Sequence, residues 1–123
     1  LFTHGLGVQT AEGLAEWLHS DARRGLGVDL DQGRRYSWGY PACPDHTPKR
    51  ALFRTLGVAE LGMGLTESLA MTPASSVSGF YIGHPEATYF NVGTIGPDQL
   101  SDWAQRNAMD PALAERALAP LLG

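Results

Sequence analysis

Residues 25 to 50 carry a glycine or proline every few positions: Gly25, Gly27, Gly33, Gly39, Pro41, Pro44 and Pro48. Proline lacks a backbone donor and clashes with the preceding turn, and glycine is a poor helix former, so no long helix can cross this stretch. It does not read as a flexible linker either. Tyr36, Trp38 and Tyr40 put three aromatics within five residues, and solvated linkers do not carry such side chains. The expectation is an ordered, irregular loop. Glycine (15) and proline (8) together make roughly a fifth of the 123 residues, against about 12% in an average protein. The excess lies in the middle of the chain and is not spread as low complexity.

The segments around this loop have simpler patterns. From Phe2 to about Arg24, Phe2, Leu6, Thr10, Gly13-Leu14 and Trp17-Leu18 recur at three- and four-residue steps, which predicts a helix with that face turned inward. Arg23 and Arg24 suit its C-terminal end, and Gly25 and Gly27 stop it. A short helix is expected from Thr47 to Leu56, with Thr47 as N-cap and Pro48 at the first helical position. Leu65 to Met71 reads as strand or loop edge. Ser78–Gly83 and Thr88–Ile95 read as strands, joined as a hairpin by His84-Pro85-Glu86-Ala87. Pro97 opens a helix to about Asn107 that buries Leu100, Trp103 and Ala104. Asp110-Pro111 caps a last helix, with Leu113, Ala117, Leu118 and Leu121 on one side. Strands and helices do not alternate as βαβ units. The expected fold is therefore α+β, a small twisted antiparallel sheet flanked by helices.

Composition excludes several functions. The length fits one domain, and the formal net charge of -4 offers no footprint for nucleic acid. No apolar run approaches the roughly 18 residues of a membrane span. The chain opens Leu1-Phe2-Thr3-His4, without Met, a basic n-region or a cleavage site, which reads as a piece of a longer chain and not as a signal peptide. A single cysteine, Cys43, excludes an internal disulfide or a thiolate-rich metal site and fits a reducing, cytoplasmic setting. His4, His19, His46 and His84 are scattered, and surface or core positions explain them better than metal ligation. No nucleotide loop, nucleophile elbow or zinc motif occurs. No catalytic residue and no metal ligand is expected.

One segment has the chemistry of a binding loop: Arg35-Tyr36-Ser37-Trp38-Gly39-Tyr40-Pro41-Ala42-Cys43-Pro44-Asp45. Arg35 can hold a carboxylate through two nitrogens. Gly39 and the prolines permit a fixed turn, and the aromatics can pack on a purine or a cation. Spacing alone leaves open, and favours, a structural loop with a surface arginine. A second segment has small residues from Ala74 to Gly79, which permit a close approach of backbone or ligand. A tight sheet edge accounts for it equally well.

Three ordered motifs lie along the chain: G-Y-P-A-C-P-D-H-T from Gly39, L-T-E-S-L-A-M-T-P-A-S-S-V-S-G-F-Y from Leu65, and H-P-E-A-T-Y from His84. With A-E-G-L-A-E-W-L-H from Ala11, and D-Q-L-S-D-W-A and A-L-A-P-L-L-G near the end, they closely resemble the C-terminal activation domain of cobalamin-dependent methionine synthase. The resemblance covers nearly the whole chain. It implies a domain that binds S-adenosylmethionine and remethylates cobalamin after its oxidation to inactive cob(II)alamin. The enzyme is a methyltransferase of methionine biosynthesis. The implied partners are the cobalamin-binding domain of the same enzyme, which holds the cobalamin, and a flavodoxin or flavoprotein reductase. Cob(I)alamin is a strong nucleophile and the sulfonium an activated methyl donor. Their reaction needs positioning and no general acid or base, which suits the empty catalytic inventory.

Residue by residue, Arg35 resembles the family's arginine for the methionine carboxylate. Ser37 stands where the family has alanine, in a loop that continues through Tyr40 with backbone contacts to the ligand. Tyr89 and Phe90 resemble the pair at the adenosine end. Glu12 matches a helix acid near the family's cobalamin-facing surface, although a solvated helix carboxylate is its plainer reading. In one branch of the family an aspartate sits four residues earlier, where this chain has Val8.

The family's domain is roughly two to three times this long, and its N-terminal part supplies an acid for the ligand's amino group and further strands. Residues 1–123 are thus expected to be the C-terminal part of one such domain and not active alone. Lacking one charge-assisted partner weakens binding by about 1.5–3 kcal/mol, on the order of ten- to a hundredfold. The alternative is a docking module that packs on the cobalamin domain or flavodoxin without binding nucleotide by itself.

Overall fold

A computed structural model describes residues 2–123. Four α-helices and four short strands follow one another as α1 (Phe2–Leu26), β1 (Arg34–Tyr36), α2 (Lys49–Leu56), β2 (Gly64–Leu65), β3 (Met71–Thr72), β4 (Phe80–Ile82), α3 (Pro97–Arg106) and α4 (Pro111–Ala117). The architecture is α+β, as expected. The strands form two separate antiparallel ribbons, β1 with β4 and β2 with β3, and not one sheet.

The β1–β4 ribbon joins two distant parts of the chain. Arg34 faces Ile82, Arg35 faces Tyr81 and Tyr36 faces Phe80. Side chains alternate along a strand, so Tyr36 and Arg35 leave β1 on opposite faces. Tyr36 is 4% exposed and stacks on Phe80 at 5.5 Å and on Tyr89 at 6.0 Å between ring centroids. A Cβ at Gly79 would collide with the Tyr36 carbonyl. The small residues before β4 therefore serve a close backbone approach.

Helix α1 runs where the sequence places it, but its inward face differs. Phe2 (84% exposed), Leu6 (60%) and Trp17 (57%) lie outside, while His19 and Arg23 are buried. Polar anchoring decides the rotation. Arg23 donates from Nε to the Gln32 carbonyl at 2.7 Å and from Nη2 to the Gly33 carbonyl at 3.2 Å. Tyr81 donates its hydroxyl to the Ala15 carbonyl at 3.0 Å and stacks on His19 at 4.4 Å. A buried guanidinium must be hydrogen-bonded, and these bonds fix which side of α1 meets the ribbon.

One expected strand, its hairpin pairing and one cap need correction. Residues 88–95 form no ladder. They are held by Tyr36 Oη donating to the Thr88 carbonyl at 2.6 Å, Val92 N to Pro41 O at 3.0 Å and Ile95 N to Leu121 O at 2.9 Å. The 84–87 turn closes with Ala87 N on His84 O at 3.1 Å, yet no hairpin results, because β4 pairs with β1. Pro48, not Thr47, is the N-cap of α2. The Thr47 amide and hydroxyl are both taken by the Asp45 carboxylate, at 2.8 and 2.6 Å.

Residues 64–72 form a small hairpin, which Lys49 ties to α2 by donating to the Leu69 carbonyl at 2.8 Å. Helices α3 and α4 pack on each other through Ala104, Ala114 and Leu118, while Leu113 faces out. Asp110 caps α4 as expected, accepting from Ala112 N at 2.9 Å.

Candidate functional site

The loop after β1 turns tightly. Gly39 N donates to Cys43 O and Cys43 N to Tyr40 O, both at 2.8 Å. Gly39 has φ 90°, and a Cβ there would enter the His46 ring. Only glycine meets both demands. This turn sends Tyr40 outward and brings the loop against residues 88–92.

Arg35 from β1, Ser37 and Tyr40 from the loop after it, Tyr89 from the later segment and Glu12 from α1 line one cavity of about 130 Å³. Five of the six candidate residues thus come together from three separate parts of the chain. Phe90 is the exception. It sits half-exposed beside Tyr36, at 6.3 Å between centroids, and does not line this cavity. Tyr40 and Tyr89 are also half-exposed and can offer ring faces to a bound molecule.

Arg35 sets the electrostatics. Its Nη2 donates to Glu12 Oε2 at 3.1 Å, and its Nη1 lies 3.9 Å from Glu16 Oε2. The second distance is too long for a hydrogen bond. Nη1 is buried and has no hydrogen-bond partner among the described residues. An unsatisfied buried donor on a cation costs more than an ordinary lost bond. A carboxylate placed at Nη1 would remove that cost.

The same loop contributes Trp38, Cys43, Pro44 and Asp45 to a larger cavity of about 400 Å³ beside Trp103 and Leu118. Its volume is closer to that of a typical ligand pocket, but its charged groups are already engaged. Asp45 holds Thr47, and Arg106 pairs with Asp102 at 2.7 Å. Burial pushes the Cys43 thiol pKa up, away from the reactive thiolate. Unmet hydrogen-bonding capacity, not size, favours the Arg35 cavity as the functional one.

Histidine chemistry does not converge on that cavity. Burial, with Arg23 next, lowers the pKa of His19, and burial, with Lys49 next, lowers that of His46. Among the described residues no group of three or more His, Cys, Asp or Glu side chains could hold a metal ion, and no helix is long and apolar enough to cross a membrane. Sequence reasoning missed two contributors. Tyr36 was grouped with the ligand-facing aromatics, but it is the buried post on which Tyr89 and Phe90 lean. The Glu12–Arg35 pair spans 23 residues and leaves no local signal.

Residues 2–108 match the family described as vitamin B12 dependent methionine synthase, activation domain. The fold is similar to that of a crystal structure of the MetH reactivation domain bound to AdoHcy, with a TM-score of 0.84 and 41% sequence identity over 92% of this chain. The match spans 39% of that relative's length.

Proposed function

Since this chain belongs to the activation-domain family of vitamin B12 dependent methionine synthase, we propose that its Arg35 cavity holds the amino-acid end of S-adenosylmethionine. The observation that carries this reading is the convergence of Arg35, Ser37, Tyr40, Tyr89 and Glu12 on one cavity, with Arg35 Nη1 buried and unpartnered. Arg35 binds the ligand's carboxylate. The loop backbone around Ser37 and Tyr40 holds the chain of the ligand, and Tyr89 with Phe90 flanks the adenosine.

Bound there, S-adenosylmethionine supplies the activated methyl group for reductive remethylation of cob(II)alamin held by another domain of the enzyme. An electron from flavodoxin or a flavoprotein reductase would reduce the cob(II)alamin before the methyl transfer, and S-adenosylhomocysteine would leave. This chain contributes orientation and not proton transfer, because methyl transfer from a sulfonium needs no general acid or base. A cytoplasmic setting suits such partners.

Size bounds the claim. A cavity of about 130 Å³ is below the roughly 300–1,000 Å³ of sites for drug-sized ligands. We therefore assign this chain one wall of the ligand site, as the C-terminal part of the domain. Thermal denaturation with and without S-adenosylmethionine tests this. A rise in Tm that grows with ligand concentration supports it, and no rise at saturating ligand counts against it.

A docking module that binds no nucleotide by itself is the second reading. The exposed apolar residues of α1, Phe2, Leu6, Trp17 and Leu18, favour it, because contiguous apolar surface marks contact sites. A Tm raised by the cobalamin domain or by flavodoxin, and not by the nucleotide, selects it.

A further inference from the structure

Arginine presents five N–H groups in a rigid planar fork, so holding one nitrogen fixes where the others point. In this chain Glu12 holds Nη2 at 3.1 Å, and Nη1 is buried without a hydrogen-bond partner among the described residues. Glu12 itself lines the cavity, with its side chain 40% exposed against 25% for Arg35. Glu16 follows one turn later on the same face of α1, but at 3.9 Å from Nη1 it does not bond the guanidinium. The ion pair is therefore one-sided. One edge of the fork is clamped by the helix, and the other is buried and left without a hydrogen-bond partner among the described residues.

We infer that Glu12 is a positioning residue for ligand binding: by clamping Arg35 Nη2 it presents Nη1 to the carboxylate of the incoming ligand. The inference rests on the reading that Arg35 receives that carboxylate. A free arginine side chain loses much rotamer entropy when it binds. The Glu12 clamp imposes that loss on folding, before the ligand arrives. Glu12 also repels a second carboxylate, since both would sit on one guanidinium. The α-ammonium next to the ligand's carboxylate offsets this repulsion, so the ordering effect prevails for a zwitterion.

The test compares S-adenosylmethionine with its decarboxylated form, which keeps the sulfonium, the adenosine and the amine. Calorimetry gives both affinities for the wild-type chain, Glu12→Gln and Glu12→Asp. The wild type is expected to prefer the carboxylate-bearing ligand. In Glu12→Gln, binding of S-adenosylmethionine weakens about fivefold, the upper range for a partly exposed ion pair. Binding of the decarboxylated form stays the same, so the preference shrinks. Glu12→Asp, which keeps the charge, recovers part of it.

Equal weakening of both ligands would overturn the inference, because it would place Glu12 in the general fold. Unchanged binding would make Glu12 a bystander, and tighter binding of S-adenosylmethionine would make it a competitor; either overturns the inference. A wild type that binds neither ligand, or both alike, would overturn the Arg35 reading and this inference with it.

Discussion

Tyr36 donates its phenol to the Thr88 carbonyl at 2.6 Å, and that bond ties the segment bearing Tyr89 and Phe90 to strand β1. The strand that carries Arg35 thereby also fixes the opposite side of the cavity. Removing the hydroxyl in Tyr36→Phe leaves the stacked ring and orphans the carbonyl. The expected loss is about 0.5–1.5 kcal/mol of stability, or a Tm lower by about 3–5 °C for each kcal/mol at this size. An unchanged melting curve would show that the bond does not hold the segment.

Gly39 and Gly57 separate two effects of a left-handed backbone. Both have positive φ, 90° and 60°, but a Cβ at Gly39 would enter the His46 ring while Gly57 faces open space. Alanine at Gly57 should cost about 1 kcal/mol from the backbone alone. Alanine at Gly39 should cost about 1–3 kcal/mol and should also displace Tyr40. Urea denaturation of both variants checks the order; equal losses would mean that the Gly39–His46 contact carries no energy.

Acid should destabilise the chain through His19 and His46. Burial, then Arg23, depresses the His19 pKa below its ordinary value of 6.5, and burial, then Lys49, does the same for His46. A histidine with a depressed folded pKa takes up protons more readily when unfolded. Its contribution is present above pH 6.5 and is lost as the pH falls through the folded value. Tm should thus fall between about pH 7.5 and about pH 5.5, and His19→Gln should show a smaller fall. An equal fall in the variant would exclude His19 as a source.

Local chemistry was legible in the sequence and long-range pairing was not. The Asp110-Pro111 cap, the Pro97 start of α3 and the glycine stop of α1 each depend on neighbouring residues, and each was placed. The partner of β4 depends on residues more than forty positions away, so the aromatic run after His84 read as the other half of a hairpin. Helix α1 kept its length but not its inward face, since Arg23 bonds carbonyls that periodicity does not register.

For the cavity, family motifs identified Arg35, Ser37, Tyr40 and Tyr89, and the fold brings them together. Phe90 carries the same motif evidence but does not line the cavity, although both it and Tyr89 pack on Tyr36. Glu12 was noted only for a different surface, because nothing near it in sequence signals its bond to Arg35.

The central claim is that Arg35 holds the carboxylate of S-adenosylmethionine, and calorimetric titration of the wild-type chain against Arg35→Ala tests it most directly. Losing a charge-assisted bond of about 1.5–3 kcal/mol predicts saturable binding by the wild type and an affinity ten- to a hundredfold lower, on the order of magnitude, in the variant. Equal affinity in the two chains would contradict it.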